Sequence, residues 1–371
     1  MFPTKIPASE QVILSVGERL CDLKFLDLQN NPATLYNDRA FGWPKAILVT
    51  WLPDKAVSEL VRMSEVMQAF GRVETHVLAV TNATVTENAV FAERFALPYP
   101  LFSNPDGSLQ KAAGQDESSA PCILLFDPLL RLEKKITRGN GENPVDLALS
   151  YAQARYAAQR PVVVTSQAPA LVLPNLLNAE HCSGLIKLWQ KSGNKLENIV
   201  VSEGIARTDT DTKIRSDVSI PLDSPVSMEL ISVMRRRLLP EIRKAFNFEA
   251  TRFEFFRIGR YDAADGGHFA PHRDNTSATL RHRRYALIVN LNTGEYEGGF
   301  LRLPEYGTQL YAPPKGGAVV FSCSVLHTAT PMIKGQRFVL IGFFWGEEEQ
   351  RVFAPKESGS LFETMSPKQS A

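Results

Sequence analysis

The stretch AVVFSCSVLHTATPMIKGQRFVLIGFFW, residues 318–345, decides the fold of the C-terminal half. Residues 318–321 form an apolar, β-branched run, Ser322 and Ser324 mark a turn, and Leu326-His327 begins another strand. After Gly335 comes FVLIGFFW at 338–345, a strand too apolar to be anything but core. Arg337 stands at its head. A charge leading into such a strand is commonly a solvated end, but here His327 lies ten residues before it. An arginine presents a rigid fork matched to a carboxylate, so one beside a metal-ligating histidine suggests an acidic co-substrate.

Working outward, the tripeptide His272-Arg273-Asp274 precedes this stretch. Along an extended strand, side chains at i and i+2 share a face, so His272 and Asp274 can offer an imidazole nitrogen and a carboxylate oxygen to one centre. An accidental His-x-Asp is expected in roughly one such chain in three or four, so the tripeptide alone decides little. His327, expected from a strand across a barrel or sandwich, completes a two-histidine, one-carboxylate set. That set leaves open coordination positions and is diagnostic of non-haem Fe(II) oxygenases.

The surrounding text carries a resemblance. Arg260-Tyr261, His272-x-Asp274, EYEGGFL at 295–301, PEYG at 304–307, Pro313-x-x-Gly316, Val319-Val320-Phe321, Leu326-His327, Pro331 and Gly335-x-Arg337 follow in order, and LPNLLNAEHC at 173–182 reads as a strand leading into a helix. With these motifs, residues from about 168 to 345 resemble the prolyl-4-hydroxylase branch of the 2-oxoglutarate- and Fe(II)-dependent dioxygenases. The resemblance implies a mainly-β double-stranded β-helix, or jelly roll, with flanking helices. It implies that His272, Asp274 and His327 hold Fe(II), that Arg337 pairs with the distal carboxylate of 2-oxoglutarate, and that Tyr261 reaches toward the co-substrate. The segment at 262–271 departs in length from the family's common pattern. The implied reaction consumes O2 and 2-oxoglutarate, releases succinate and CO2, and hydroxylates a substrate C–H bond, peptidyl proline among the candidates. Ascorbate is the implied sustaining reductant.

Other residues near these motifs have plainer readings. Gly298-Gly299 permits positive φ or close backbone approach, as in an ordinary turn. Gly266-Gly267 is a candidate mobile lip over the site. His268 reads as a neighbour of the ligands or a surface residue, since a further ligand would remove the open positions. The cluster Arg281-His282-Arg283-Arg284 reads as a solvated loop, and would attract an acidic substrate if it faced the mouth of the site.

Composition bounds the alternatives. At 371 residues the chain favours two domains, and 44% hydrophobic content supports a core in each. A formal charge of +1 gives no case for nucleic acid, and Arg235-Arg236-Arg237 is expected on a helix with solvated faces. Four scattered cysteines, at 21, 122, 182 and 323, without a CxxC favour free thiols in a reducing cytoplasm. The opening MFPTKIP has no signal-peptide pattern, and no apolar run approaches membrane-spanning length. A cytoplasmic protein without membrane contact is expected.

The first half has a different period. AILVTWL at 46–52 is a buried strand, followed after Pro53 by a helix carrying Val57, Leu60, Val61, Met67 and Phe70. HVLAV at 76–80 precedes a helix at about 87–95; ILLFD at 123–127 and LEKKI at 132–136 read as a hairpin, and a closing helix covers about 144–158. Such strand-helix units argue for a mixed α/β sheet. GERLxxLxFxxL at 17–28, the Trp51 strand end, FSNPDG at 102–107 and Pro121 resemble the thioredoxin-like superfamily, in its peroxiredoxin branch. A peroxiredoxin needs a nucleophilic cysteine at the start of the first helix, its pKa lowered by the helix terminus and an arginine. Aligned on Glu59, that position is Ala56; Pro53 replaces the expected threonine, and no arginine precedes the Leu124 strand. The resemblance also implies a cis peptide at Pro121, bordering a binding groove.

The expected organisation is a redox-inactive thioredoxin-like domain over residues 1–160, serving homodimerisation, docking of a substrate protein or scaffolding, and a dioxygenase domain over 161–371. The join is placed near 159–169, where two prolines interrupt the periodicity. Two rival readings remain: a non-catalytic pair of binding modules, and a thiol peroxidase, which requires a cysteine that the sequence does not supply. The substrate is either a protein or a small molecule.

Overall fold

The computed structural model describes residues 13–35, 42–139, 141–159, 163–192, 199–202, 205–208, 210–353 and 359–361. The residues 1–7, read above for a leader, and 160–162, within the expected join, lie outside them. Contacts divide the chain into two units, Met1–Val163 and Val164–Ala371.

The first unit is built on a seven-stranded sheet. Its order is Pro32–Ala33, Phe25–Leu26, Leu101–Ser103, His76–Thr81, Lys45–Val49, Cys122–Phe126, Leu132–Thr137. Lys45–Val49, His76–Thr81 and Leu101–Ser103 run parallel, which requires crossovers, and the helices Val57–Arg72 and Val85–Arg94 supply them. Cys122–Phe126 and Leu132–Thr137 close the sheet as the expected antiparallel hairpin. Both faces are covered, so the central strands are continuously apolar. Ala46, Leu48, Ile123 and Leu125 pack into one core, while Ile47, Val49, Cys122 and Leu124 pack into the other. Thr84 and Glu87 form a reciprocal capping box at the second helix, and Asn143 caps the closing helix Pro144–Ala158. This is a thioredoxin-like arrangement.

One expectation here fails: no peptide bond among the described residues is cis, the one before Pro121 included. That bond is held between a hydrogen bond from Gln115 Nε2 to Ala120 O (2.8 Å) and the pairing of Cys122 with Val49.

The second unit is sheet-rich. Its larger sheet runs Ser216–Ser219, Arg257–Asp262, Gln336–Trp345, Tyr285–Asn290, Ala318–Ser322, Ala170–Leu173, with Arg252–Phe253 and Gly359–Ser360 attached at the side. A five-stranded sheet runs Lys213–Ile214, His268–His272, His327–Ala329, Leu301–Arg302, Leu310–Tyr311. Alternation along Gln336–Trp345 separates two cores. Phe338, Leu340 and Phe344 pack with the helical residues Leu185, Trp189, Leu230 and Met234, whereas Val339, Ile341 and Phe343 pack with Leu301, Ala329 and Met332. The site opens on this second face.

The arginine triplet departs from its reading. It lies on a π-type turn, Met234–Leu238, where Arg237 is buried and its Nη1 donates to Leu176 O at 3.0 Å.

Candidate metal centre

His272 and His327 are directly opposed residues of neighbouring antiparallel strands, His268–His272 and His327–Ala329. The third-ligand strand is therefore adjacent to the first, not across the sandwich. Nor does Asp274 share a strand with His272. The strand ends at His272, and Asp274 sits in a turn whose N–H donates to Cys323 O at 3.0 Å. The turn, rather than strand alternation, swings the carboxylate back onto the two rings.

The three ligand atoms lie within 4.8 Å of one another. Asp274 Oδ1 is 3.6 Å from His272 Nε2, and Asp274 Oδ2 is 3.3 Å from His327 Nε2. Donors about 2.1 Å from a shared divalent ion and at right angles to each other stand about 3 Å apart, so this spacing fits one cation. The tautomers fit as well. His272 Nδ1 faces Ala270 O at 2.8 Å and His327 Nδ1 faces Val325 O at 3.0 Å; a carbonyl only accepts, so both protons sit on Nδ1 and both Nε2 lone pairs are free for a metal. Packing fixes the rings: Phe269 stacks on His272 at 3.5 Å, and Phe321 meets His327 edge-on at 4.7 Å.

The charge states are those a ligand set needs. Burial pushes His327 below its ordinary pKa, outweighing the pull of Asp274, and so favours the neutral ring that a metal ligand needs. Burial would raise Asp274, but His327, His272 and Arg283 prevail and hold it well below the usual carboxylate range.

A cavity of about 1010 Å³ surrounds the triad, and Arg337 and Tyr261 line it too. Arg337 is buried. Its Nη1 donates to Gly299 O (2.6 Å) and its Nη2 to Asn290 Oδ1 (2.8 Å), while its buried Nε has no partner. Among the described residues no carboxylate pairs with it, so a neutral cradle orients a cation whose charge is unanswered. The glycine pair earlier read as a turn makes this possible. A Cβ on Gly299 would fall 2.3 Å from Met332 Sδ and one on Gly298 2.5 Å from Pro331 O, and both residues have positive φ. Tyr261 lies beneath Arg337, 5.5 Å from guanidinium to ring centre, and its hydroxyl accepts from Arg215 Nη1 at 3.1 Å.

The remaining readings sort cleanly. His268 is bonded to Gly266 O (2.9 Å) and Asp211 O (3.1 Å) and is outside the triad. Gly267 is part of a fixed turn: its N–H donates to Asp262 O and its carbonyl accepts from Met332 N–H, so it is not a loose lip. The cluster at 281–284 is not a solvated loop. His282 and Arg283 are buried on Glu254, Arg283 through two bonds of 2.6 and 2.7 Å, and Arg284 pairs with Glu349. Sequence reasoning missed Lys213, Arg215, Asp217 and Arg257, all lining the cavity. Strand alternation could not have found them: Lys213 and Asp217 lie on strands of different sheets, with Arg215 in the break between.

Among the described residues the other unit holds no counterpart. Ala56 is fully buried at the start of the first helix, and the nearby Glu59 is paired with Arg138. Burial pushes the thiols of this unit up, Cys122 to about 12 with Cys21 also raised, which is opposite to what a reactive thiol needs, and Cys182, at about 11, and Cys323 of the C-terminal unit are raised too. Among the described residues no helix is long and apolar enough to cross a membrane.

Comparison with known proteins follows this division. Residues 256–345 match the 2OG-Fe(II) oxygenase superfamily, so the C-terminal region carries a domain of that superfamily. A PKHD-type hydroxylase of Paracoccus denitrificans is 24% identical over 192 residues, covering 49% of this chain and 79% of the relative. Among solved structures, a prolyl-4-hydroxylase of Pseudomonas putida is 19% identical, with a TM-score of 0.38, over 48% of this chain and 93% of its own. A PrxQ of Xylella fastidiosa is 15% identical, with a TM-score of 0.35, over 38% of this chain and 97% of its own.

Proposed function

We propose that the C-terminal unit, with its two sheets arranged as a double-stranded β-helix, is an Fe(II)- and 2-oxoglutarate-dependent hydroxylase. The observation that carries this reading is the convergence of His272, Asp274 and His327 with both Nε2 lone pairs turned inward. Bound iron would couple oxidative decarboxylation of 2-oxoglutarate, to succinate and CO2, to hydroxylation of a substrate C–H bond. The chain's own residues position and exclude. The triad offers three donors and leaves the remaining coordination positions to co-substrate and O2. Arg337 takes the distal carboxylate of 2-oxoglutarate, and Tyr261 supports that arginine from below. Val339, Ile341 and Phe343 give the cavity an apolar wall that keeps water from the reacting carbon.

The substrate class includes peptidyl proline, prolyl being the group in the name of the similar Pseudomonas putida enzyme, and ascorbate would sustain turnover. The N-terminal unit is a redox-inactive module that docks a substrate protein or pairs two chains, and the protein works in the cytoplasm. Anaerobic titration of the Fe(II) protein with 2-oxoglutarate tests the reading. A metal-to-ligand charge-transfer band should appear, followed by succinate on admitting O2. A protein that binds Fe(II) without developing the band would defeat it.

A further inference from the structure

The cavity carries more positive charge than one co-substrate answers. Asp217 is shared by Lys213 (3.0 Å) and Arg215 (2.5 and 2.7 Å). Glu254 is likewise shared: Arg283 holds it through both oxygens, His282 Nε2 meets Oε1 at 3.1 Å, and Arg257 reaches Oε2 through Nη2 at 3.2 Å. Among the described residues that is the only side-chain hydrogen bond Arg257 makes. Burial and the neighbouring Arg283 lower the pKa of Arg257, whereas Arg283 itself is raised. Two carboxylates favour the charged form of Arg257, but Glu254 is committed to Arg283 and Asp217 to Lys213 and Arg215, which leaves Arg257 under-compensated.

Its placement is specific. Arg257 pairs in register with Ile341, and Tyr261 with Arg337, on the same two strands. Four residues of strand separate the two arginines along one face, about 13 Å. Arg337 and Arg257 thus mark two separate cationic points of the one cavity that also holds the triad. Phe255 and Phe343 flank the Arg257 guanidinium at 4.5 and 5.8 Å and fix its plane, and Ser219 on the next strand lies opposite it. A planar fork, held by aromatic faces and facing a cavity, is suited to a carboxylate.

We infer that the substrate carries a carboxylate and that Arg257 binds it, at a distance from the carboxylate anchor at Arg337. This rests on the oxygenase reading and adds its substrate class. The acid can be the terminus of a small molecule or an acidic side chain within a peptide. A substrate so held presents its reacting carbon a fixed distance from the charge, so Arg257 sets which C–H bond faces the metal.

The test uses the full chain with Mn(II) and 2-oxoglutarate, and calorimetric binding of two acid–amide pairs. N-acetyl-proline against N-acetyl-prolinamide represents a free acid; N-acetyl-Pro-Glu-amide against N-acetyl-Pro-Gln-amide represents a peptide side chain. The acid should bind about tenfold tighter than its amide in at least one pair, and the pair that shows it identifies the source. Arg257→Gln should abolish the preference and Arg257→Lys should keep part of it, with 2-oxoglutarate affinity held in both as proof of a folded site. Equal binding of acids and amides, a preference that survives Arg257→Gln, or a variant that loses 2-oxoglutarate instead, overturns the inference while leaving the oxygenase reading standing. Failure of the unaltered protein to bind 2-oxoglutarate overturns both.

Discussion

In the N-terminal unit Thr81, Asn88 and Ser103 are buried together and bond one another at 2.8 to 2.9 Å, and Gln110 ties its amide to Thr50 O. In the C-terminal unit Asp274, Arg283 and Arg337 face a cavity, and Arg337 meets only neutral acceptors. The first set is neutral and its members largely bond one another, although Gln110 Oε1 is left without a partner. The second is charged and leaves groups unanswered, which costs stability and persists where ligands complete it. What separates the two regions is thus the charge of the buried groups and the cavity they face, since each unit leaves some buried polar atoms without a partner.

The largest expected effect breaks the site half of that contrast. Asp274→Ala removes the carboxylate joining the two rings, and metal affinity should fall at least a hundredfold, with turnover at background. Anaerobic Fe(II) or Mn(II) titration reads this directly, and undiminished affinity would mean that the triad holds no metal. For the unaltered protein, affinity should decline in acid solution, where protons compete with the metal for His327, and the lowered pKa of that ring moves its share of the loss to more acid solution.

Next comes Arg337→Ala, which should raise the Kd for 2-oxoglutarate by about tenfold or more while metal affinity stays within about twofold. If metal and co-substrate binding fell together, the two would not be separable functions of one cavity.

Glu254→Gln sharpens the contrast by energy. The substitution leaves Arg283 and Arg257 buried with less negative charge, so the C-terminal unit should lose about 3 kcal/mol. Burial would raise Glu254, yet Arg283, His282 and Arg257 hold it down at about 2. A carboxylate whose folded pKa lies below its unfolded value of about 4.3 stabilises above that value and ceases to as pH falls toward 2. The gap in melting temperature between wild type and variant should therefore be full at pH 7 and close in acid. A gap independent of pH would assign the loss to packing.

The triad was legible because identity and spacing carry its chemistry, and the apolar run 338–345 located its core strand. Its local geometry was not. That Asp274 leaves the strand depends on a turn bonded to Cys323, and that His272 and His327 are neighbours depends on pairing between distant segments. The cluster at 281–284 misled for a related reason. Its counter-ion, Glu254, lies far back in the chain, and sequence shows which residues are charged but not which of them meet. In the N-terminal half the central strands Lys45–Val49, His76–Thr81 and Cys122–Phe126 were readable, because strands covered on both faces are continuous apolar runs, whereas Phe25–Leu26, Pro32–Ala33, Leu101–Ser103 and the helix Ser108–Ala112 are too short to show a period.

The smallest expected effect tests the N-terminal half. Cys21 is exposed by surface area, so Cys21→Ser is the substitution with most chance of revealing thiol chemistry in this unit. Burial of its sulfur, with Glu18 close by, raises the pKa, so the thiolate fraction at pH 7 is lower than that of free cysteine. Alkylation by iodoacetamide should accordingly run slower than for free cysteine, peroxide consumption should stay at background with or without the thiol, and stability should change by less than about 0.5 kcal/mol. Peroxide turnover that vanished in the variant would show a working nucleophile in the unit where Ala56 occupies the expected position. It would move that unit from scaffold to site.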